Sequence, residues 1–287
     1  GRSWIQPKYA LTYEDGDELI ELAPPGDEDL SDLARLLLRR AEWRRRQGAV
    51  QLDRLEGRFR RHHDAVELQV IEPSAARLMV SEAMLLMGAV VAEFGRANDL
   101  ALPYRSQPPA DLPSDAELEA LPEGPVRDAA IKRCLSRGIQ GTQPMAHFSL
   151  GLPAYVQATS PIRRYADLLT HRQLIASLTD QLPLEESRIG ELIDDLDDPL
   201  RQSIQISRED QRHWQQVWFA ERQEQTWSAQ FLRWLRPQDR LALVHVDDLA
   251  MDLVGQVQGA EPQPGDRLNV RVSVADPERG ELQLQLS

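Results

Sequence analysis

Cysteine is almost absent. Cys134 is the single one among 287 residues, so no internal disulfide framework exists, and a reducing, cytoplasmic setting is expected. No apolar run approaches the roughly 20 residues that span a bilayer. The opening Gly1-Arg2-Ser3-Trp4-Ile5 carries no signal-peptide hydrophobic segment, so no membrane partner is expected. Internal repeats and low-complexity tracts are lacking too. Basic charge is in deficit, with 33 Lys and Arg against 46 Asp and Glu and a net charge of -13. That balance argues against a generic nucleic-acid coat protein, which is usually basic. What is present is ordinary for a globular protein, at 41% hydrophobic and 28% charged residues. The length suits about two domains with a sizeable core.

Thr12-Tyr13-Glu14-Asp15 places a capping hydroxyl three residues before an acid, which predicts a short helix there. Pro24-Pro25-Gly26 breaks it. Leu30, Leu33, Leu37 and Ala41 recur at helical spacing up to a stop at Gly48. Residues 49–52 and 66–70 alternate like paired strands. Residues 74–97 read as a long helix, apolar on nearly all sides and hence expected in the middle of a domain. Six prolines between 103 and 125 predict a connecting arm around a short helix at 114–121. Further helices are expected at 125–137, from Ser160-Pro161 to Leu178, at 185–196 and at 199–225. After Trp227 the texture turns to short β-like runs at 242–246, 268–274 and 281–286, with turns at 264–266 and 276–280. The expected fold class is α+β: a mostly helical portion over 1–226, then a small β-barrel or sandwich over 227–287.

The richest segment runs from His147-Phe148-Ser149-Leu150-Gly151-Leu152 through Tyr155 to Thr159-Ser160-Pro161-Ile162-Arg163-Arg164-Tyr165-Ala166-Asp167 and His171-Arg172. With a helix opening at Ser160-Pro161, Arg163 and Arg164 fall in its first turn. The positive end of the helix dipole disfavours cations there by about 0.3–1 kcal/mol each. Asp167, three and four residues on, can offset part of this. Free N–H groups, the dipole and two guanidiniums together suit a bound anion, a phosphate above all. The alternative, in an acidic protein, is that both arginines pair with carboxylates elsewhere.

HF-x-LGL-x-x-Y followed by TSPIRRYADL-x-x-HR resembles the signature of the ribonuclease II/R family of exoribonucleases. Arg45-Arg46-Gln47-Gly48-Ala49-Val50 through Glu56, Val80-Ser81-Glu82-Ala83-Met84-Leu85-Leu86, and Tyr104-Arg105 are similar to further family segments, in the same order. The resemblance covers about residues 10–225, and the last 60 or so look like the family's C-terminal OB-fold RNA-binding domain. It implies processive 3′–5′ hydrolysis of single-stranded RNA to nucleoside 5′-monophosphates, using two Mg²⁺ held by aspartates. By motif match, Arg163 and Glu82 are the catalytic candidates, Arg163 at the scissile phosphate and Glu82 holding the 3′-terminal nucleotides. Arg164, Tyr13, Ser160 and Arg105 are the RNA-binding candidates. Gln157-Ala158 stands where the family usually has His-Phe, Gly88 where it has Asn, and Ser149 where it has Gly.

The family's metal-binding aspartates lie upstream of the segment matched here, so no metal ligand is assigned. Asp194-Asp195-Leu196-Asp197-Asp198 reads as a solvated helix end. The expectation is thus the C-terminal part of a larger enzyme, monomeric when intact, that requires its N-terminal part and is inactive alone. The alternative is an RNA-binding module or inactive relative that grips RNA without cutting it. His171, four residues after Asp167, reads as its helix-surface partner, and His62-His63 as exposed. The cluster Trp214, Trp218, Trp227 and Trp234 reads as packing rather than base stacking, and Cys134 as a buried thiol. The charge is unevenly spread. Residues 35–61 hold ten arginines against Glu42, Asp53 and Glu56, and 131–172 hold six Lys and Arg against Asp167 alone. A basic path in an acidic protein suits a threaded RNA strand.

Overall fold

The computed structural model describes residues 4–52, 54–63, 65–179 and 181–287. The fold is α+β, and its contacts divide the chain into two compact units that interleave in sequence. One comprises Gly1–Gln51, Pro73–Ala110 and Leu135–Pro199; the other comprises Leu52–Glu72, Asp111–Cys134 and Leu200–Ser287.

The first unit is mainly helical. Helix α1 (Tyr13–Leu22) opens on the expected capping box: Thr12 accepts from the Asp15 N–H while the Asp15 carboxylate accepts from the Thr12 N–H. Helix α2 (Glu28–Arg46) carries acids in its first turn and Arg44, Arg45 and Arg46 in its last, matching the helix dipole at both ends. Helix α3 (Ala75–Ala97) is capped by Ser74. It is not buried all round: Ala76, Met79, Glu82, Gly88, Val91, Ala92 and Gly95 face inward, whereas Val80, Met87 and Val90 are exposed. By length and composition it could cross a bilayer, contrary to the run-length reading. Its buried Glu82, ion-paired to α2, marks it as a packed helix of this unit. A small core gathers Val91, Ala92, Leu100, Leu102, Tyr104, Ala154, Val156 and Ala158. The short strands β3 (Tyr104–Ser106) and β4 (Ile139–Gly141) pair antiparallel beside it.

In the second unit the hairpin partners are β1 (Glu56–His62) and β2 (Ala65–Ile71), not 49–52 with 66–70. Residues 49–52 form no strand; the Val50 N–H bonds to the Ser149 carbonyl instead. The arginines of β1 conceal its alternation, since Phe59 is its single buried residue. Helices α4 (Asp115–Glu119) and α5 (Pro125–Cys134) follow, with Cys134 half-buried rather than buried and its Sγ 3.5 Å from the Ala130 carbonyl.

Helix α6 (Tyr165–Leu178) belongs to the first unit, and α7 (Glu186–Ala220) is one helix where two were expected. Pro199 lies inside α7 and removes one hydrogen bond, to the carbonyl of Asp195. Both residues are exposed, so water can take the freed carbonyl. The contact division falls at Pro199–Leu200.

Strands β5 (Thr226–Arg236), β6 (Leu241–Val246), β7 (Met251–Val257), β8 (Arg267–Asp276) and β9 (Glu281–Leu286) close a barrel in the order β5-β6-β7-β9-β8. All neighbours are antiparallel except β7 and β9. Strand β5 escaped the period-two reading because register shifts at Phe231/Arg233 and Trp234/Arg236 interrupt it, burying Phe231 and Leu232 in succession. Phe59, Trp218, Phe219, Trp227 and Phe231 join the barrel aliphatics in one core, with the Trp218 and Trp227 rings 5.8 Å apart. Packing therefore occupies these two tryptophans.

Candidate functional site

The site is built on the signature-bearing segment from a 3₁₀ turn at Phe148–Leu150 to helix α6, all within the first unit. Phe148–Leu150 forms a single 3₁₀ turn ended by Gly151 in the left-handed region, φ 61°. A Cβ on Gly151 would come within 2.8 Å of the Arg44 carbonyl and 2.9 Å of the Ala49 nitrogen. Glycine thus lets the loop lie directly on the end of α2. The Arg44 guanidinium donates to the Leu150 carbonyl at 3.0 Å and fixes the contact. Further on, Tyr155 packs against α3 at Gly88, where a Cβ would sit 2.2 Å from the Tyr155 ring. The departure from the family's Asn at 88 is therefore matched by the seat of Tyr155.

The chain then turns before α6, rather than within it. The Ser160 carbonyl accepts from the N–H groups of Arg163 and Arg164, and the Asp167 carboxylate accepts from the Ser160 N–H at 2.8 Å. Arg164 is extended, at φ -124° and ψ 115°, and the helix starts only at Tyr165. Asp167 thus captures Ser160 and delays the helix by five residues, which lifts both arginines out of the first turn. Asp167 is fully buried and pairs with Arg164 at 2.7 Å, while Arg163 is exposed and makes no ion pair among the described residues. One carboxylate oxygen of Asp167 and the Nε of Arg164 are buried without a partner. The expected pair between His171 and Asp167 is absent. His171 instead contacts the Ala158 carbonyl at 2.6 Å, because Asp167 already faces the turn.

Tyr155 is the meeting point. Its carbonyl accepts from the Arg105 N–H, and His147 stands edge-on to its ring at 6.1 Å. Burial pushes the phenol up from its ordinary value, with Arg164, Asp167, Arg105 and Arg44 all near enough to act on it. His147 is held down to about 4, first by burial and then by the Arg105 charge. Three arginines therefore converge around one buried tyrosine.

Of the residues expected at the site, Ser160, Arg163 and Arg164 share the turn, and Arg105 lies on β3 with its guanidinium toward Gln157. Glu82 is wholly enclosed. It pairs with Arg40, and its two oxygens accept from Arg44 at 2.9 and 2.6 Å. It reaches the loop only through Arg44. Tyr13 heads α1 with the Arg77 guanidinium 4.1 Å from its ring, which joins it to α3 rather than to the turn. Arg44 was not singled out from the sequence, and Tyr155 was named only as part of the signature. Arg44 was detectable, since 37, 41 and 44 trace the apolar face of α2 and place a charge inside.

Comparison with known proteins supplies the family. The RNB domain model matches residues 1–180. The chain belongs to the ribonuclease II/R family. It is 38% identical over 285 residues to an uncharacterized ribonuclease of Synechocystis, covering 99% of this chain and 43% of that protein. Its fold is similar to an active-site mutant of the Dss1 exoribonuclease of Candida glabrata, with TM-score 0.83, 20% identity and coverage of 96% and 38%. It is also similar to Mycoplasma genitalium RNase R in complex with ribose-methylated single-stranded RNA, with TM-score 0.77, 19% identity and coverage of 96% and 53%. The chain spans under half the length of the curated relatives it matches.

Two-metal hydrolysis, which the family implies, requires carboxylates converging on the ions. Among the described residues no three His, Cys, Asp or Glu side chains converge in that way. Asp167 is committed to Ser160 and Arg164, and Asp194 and Asp195 are exposed along α7. These residues do not fit a divalent-metal site. What the turn can supply is positive charge at a phosphate.

Proposed function

We propose that this chain forms the phosphate-gripping portion of a processive 3′–5′ exoribonuclease that releases nucleoside 5′-monophosphates from single-stranded RNA. The observation that carries the reading is the 160–167 turn: Arg163 stands exposed with no ion pair among the described residues, while buried Asp167 fixes its neighbour Arg164. Arg163 is the catalytic residue in this reading, offering its guanidinium to the scissile phosphate, and Ser160, Arg164 and Arg105 bind the strand beside it. Glu82 is a positioning residue that holds Arg44 against the loop. Tyr13 is assigned a contact further along the RNA.

The Mg²⁺ ligands belong, in this reading, to a preceding part of the protein, which would also cover apolar side chains left outside. Met87 and Val90 on α3 and Leu168 and Ile175 on α6 are exposed and support such a covering. Arg163→Ala in the intact protein is expected to lower turnover at least about tenfold, as loss of one transition-state donor would, with unfolding unchanged. An unchanged rate of monophosphate release removes Arg163 from the site. The second reading, a module that grips RNA without cutting, is favoured by the lack of convergent ligands among the described residues. Residues 1–287 alone with Mg²⁺ are expected to bind single-stranded RNA and release no monophosphate.

A further inference from the structure

The first unit carries a cavity of about 560 Å³ at the opposite end of α6 from the signature turn. Ser177 lines it, about 18 Å along the helix from Tyr165. Other walls come from the end of α3, from β3 and from the start of α7. Buried Gln173 ties these walls together. Its amide donates to the Ala101 and Leu184 carbonyls at 2.9 Å each, and its oxygen accepts from the Leu184 N–H at 2.8 Å. A buried amide engaged on both sides makes what it joins rigid.

The cavity is acidic beyond what its own fold neutralises. Arg96, the one cation lining it among the described residues, is bonded to Glu93 at 3.3 Å. Glu186 accepts from Thr142 and Gln143 and opens α7, where the helix dipole favours an acid. Asp99 has no such reason to be charged. It follows the end of α3, where the dipole disfavours a carboxylate. Its left-handed backbone, φ 49°, suits asparagine equally, so the turn does not call for the charge. Neither Asp99 nor Glu185 has an ion pair among the described residues.

Tyr104 gives an independent sign. It lines the cavity yet is only 2% exposed. A Cβ on Gly95 would come within 2.6 Å of its hydroxyl, so glycine leaves that group its room. The hydroxyl has no hydrogen-bond partner among the described residues. Burial pushes the phenol up, which keeps it a neutral hydroxyl with lone pairs to offer. An enclosed hydroxyl of this kind is costly unless a group in the cavity meets it.

Acids on two walls, a neutral acceptor within and the apolar Leu100 and Leu184 beside them match ammonium groups joined by methylenes. The same carboxylates disfavour a phosphate-bearing ligand. They also do not converge in threes, as a divalent ion would require. We propose that this cavity binds a polyamine, with Tyr104 Oη accepting from one ammonium and Asp99 and Glu185 pairing with others. The proposal does not depend on whether the protein cuts RNA.

The test is calorimetric titration of the full 287-residue chain with spermidine, for which one saturable site is expected. Tyr104→Phe and Asp99→Asn should each weaken binding about tenfold, equivalent to about 1.4 kcal/mol. Phenylalanine keeps the ring in the core and asparagine keeps the left-handed turn, so unfolding midpoints should hold. Glu185→Gln, at an exposed position outside the core, should weaken binding as well and serves if either of the others unfolds. Butylamine, with a single ammonium, should bind at least about tenfold more weakly than spermidine. Diffuse attraction to the net charge of -13 would instead give unsaturated heats that Tyr104→Phe leaves untouched. That result overturns the proposal, as does equal affinity in wild type and variants. Equal binding of butylamine and spermidine overturns the assignment of a polyamine.

Discussion

The two units distribute charge and apolar surface in opposite ways. The first encloses Glu82 and Asp167 completely, each against arginine, while Met87, Val90, Leu168 and Ile175 remain outside. The second encloses Phe219, Phe231, Val244, Val246 and Leu286 within a closed barrel, and residues 200–213 of α7 are all exposed. A barrel pairs its own edges and completes its core from its own strands. A layer of helices with apolar outer faces and charged inner ones does not. Its buried ion pairs contribute placement more than stability, because desolvation consumes most of the attraction. The first unit is therefore organised to hold a loop in one geometry, the second to stay folded.

The sharpest way to break this contrast is to empty the buried charge. Glu82→Ala leaves Arg40 and Arg44 enclosed with no counter-ion, and such a loss costs about 3–5 kcal/mol. Denaturant unfolding should show it, and the loop at Leu150 should lose its Arg44 contact. Glu82→Gln, which keeps one acceptor, should cost less. A shift below about 1 kcal/mol for the alanine variant would mean that both arginines find water, and that Glu82 positions nothing.

The next effect is a response to acid confined to the first unit. His147 titrates at about 4 when folded, because burial and then the Arg105 charge disfavour its cation, against 6.5 in an unfolded chain. Between these values the unfolded chain binds the extra proton. Stability is therefore whole above about pH 6.5 and falls as the pH drops towards 4. The full difference is on the order of 3 kcal/mol at about 1.4 kcal/mol per unit. His147→Gln should remove this slope from a stability–pH curve. If wild type and variant run parallel through that window, the imidazole is not held neutral by the fold.

Much of this was legible in the residues, and the failures have physical causes. The capping box at Thr12 and Asp15 depends on side chains three residues apart, so sequence spacing finds it. The signature loop stood out by its motif, whereas the close approach of Gly151 to the end of α2 needed the structure. The start of α6 was misplaced because Ser160-Pro161 is a sound local start signal, and the buried Asp167 overrode it. Asp167 had two possible arginine partners at helical spacing, and only the extended backbone at Arg164 selects between them. Pro199 stopped α7 in the sequence but not in the structure, since one missing hydrogen bond at an exposed position is tolerable in a long helix. Strand β5 was lost to its bulges. Glu82 shows the deepest limit: a motif match identifies the residue, but its enclosure by two arginines from α2 depends on packing that no spacing reveals.

The smallest effect expected comes from the second unit's own carboxylate, and it sets the scale for the others. Asp252 sits between Arg54 and His245 with its side chain about one-quarter exposed. Burial pushes its carboxyl upward, but the hydrogen bonds from His245 and Arg54 outweigh this and hold it at about 2. The unfolded value is 3.8, so the unfolded chain takes up the proton first as the pH falls. The contribution is present above about pH 4 and is lost on going down through pH 2. It amounts to about 2 kcal/mol at most, less some screening at a partly open position. Asp252→Asn should therefore cost about 1–2 kcal/mol near neutral pH and remove the unfolding slope between pH 4 and 2. That is roughly half the cost of Glu82→Ala, because water can reach the partly open Arg54 once the carboxylate is gone, whereas Arg44 is enclosed. Equal costs for the two substitutions would erase the distinction between a unit that encloses its charge and one that keeps it at the rim.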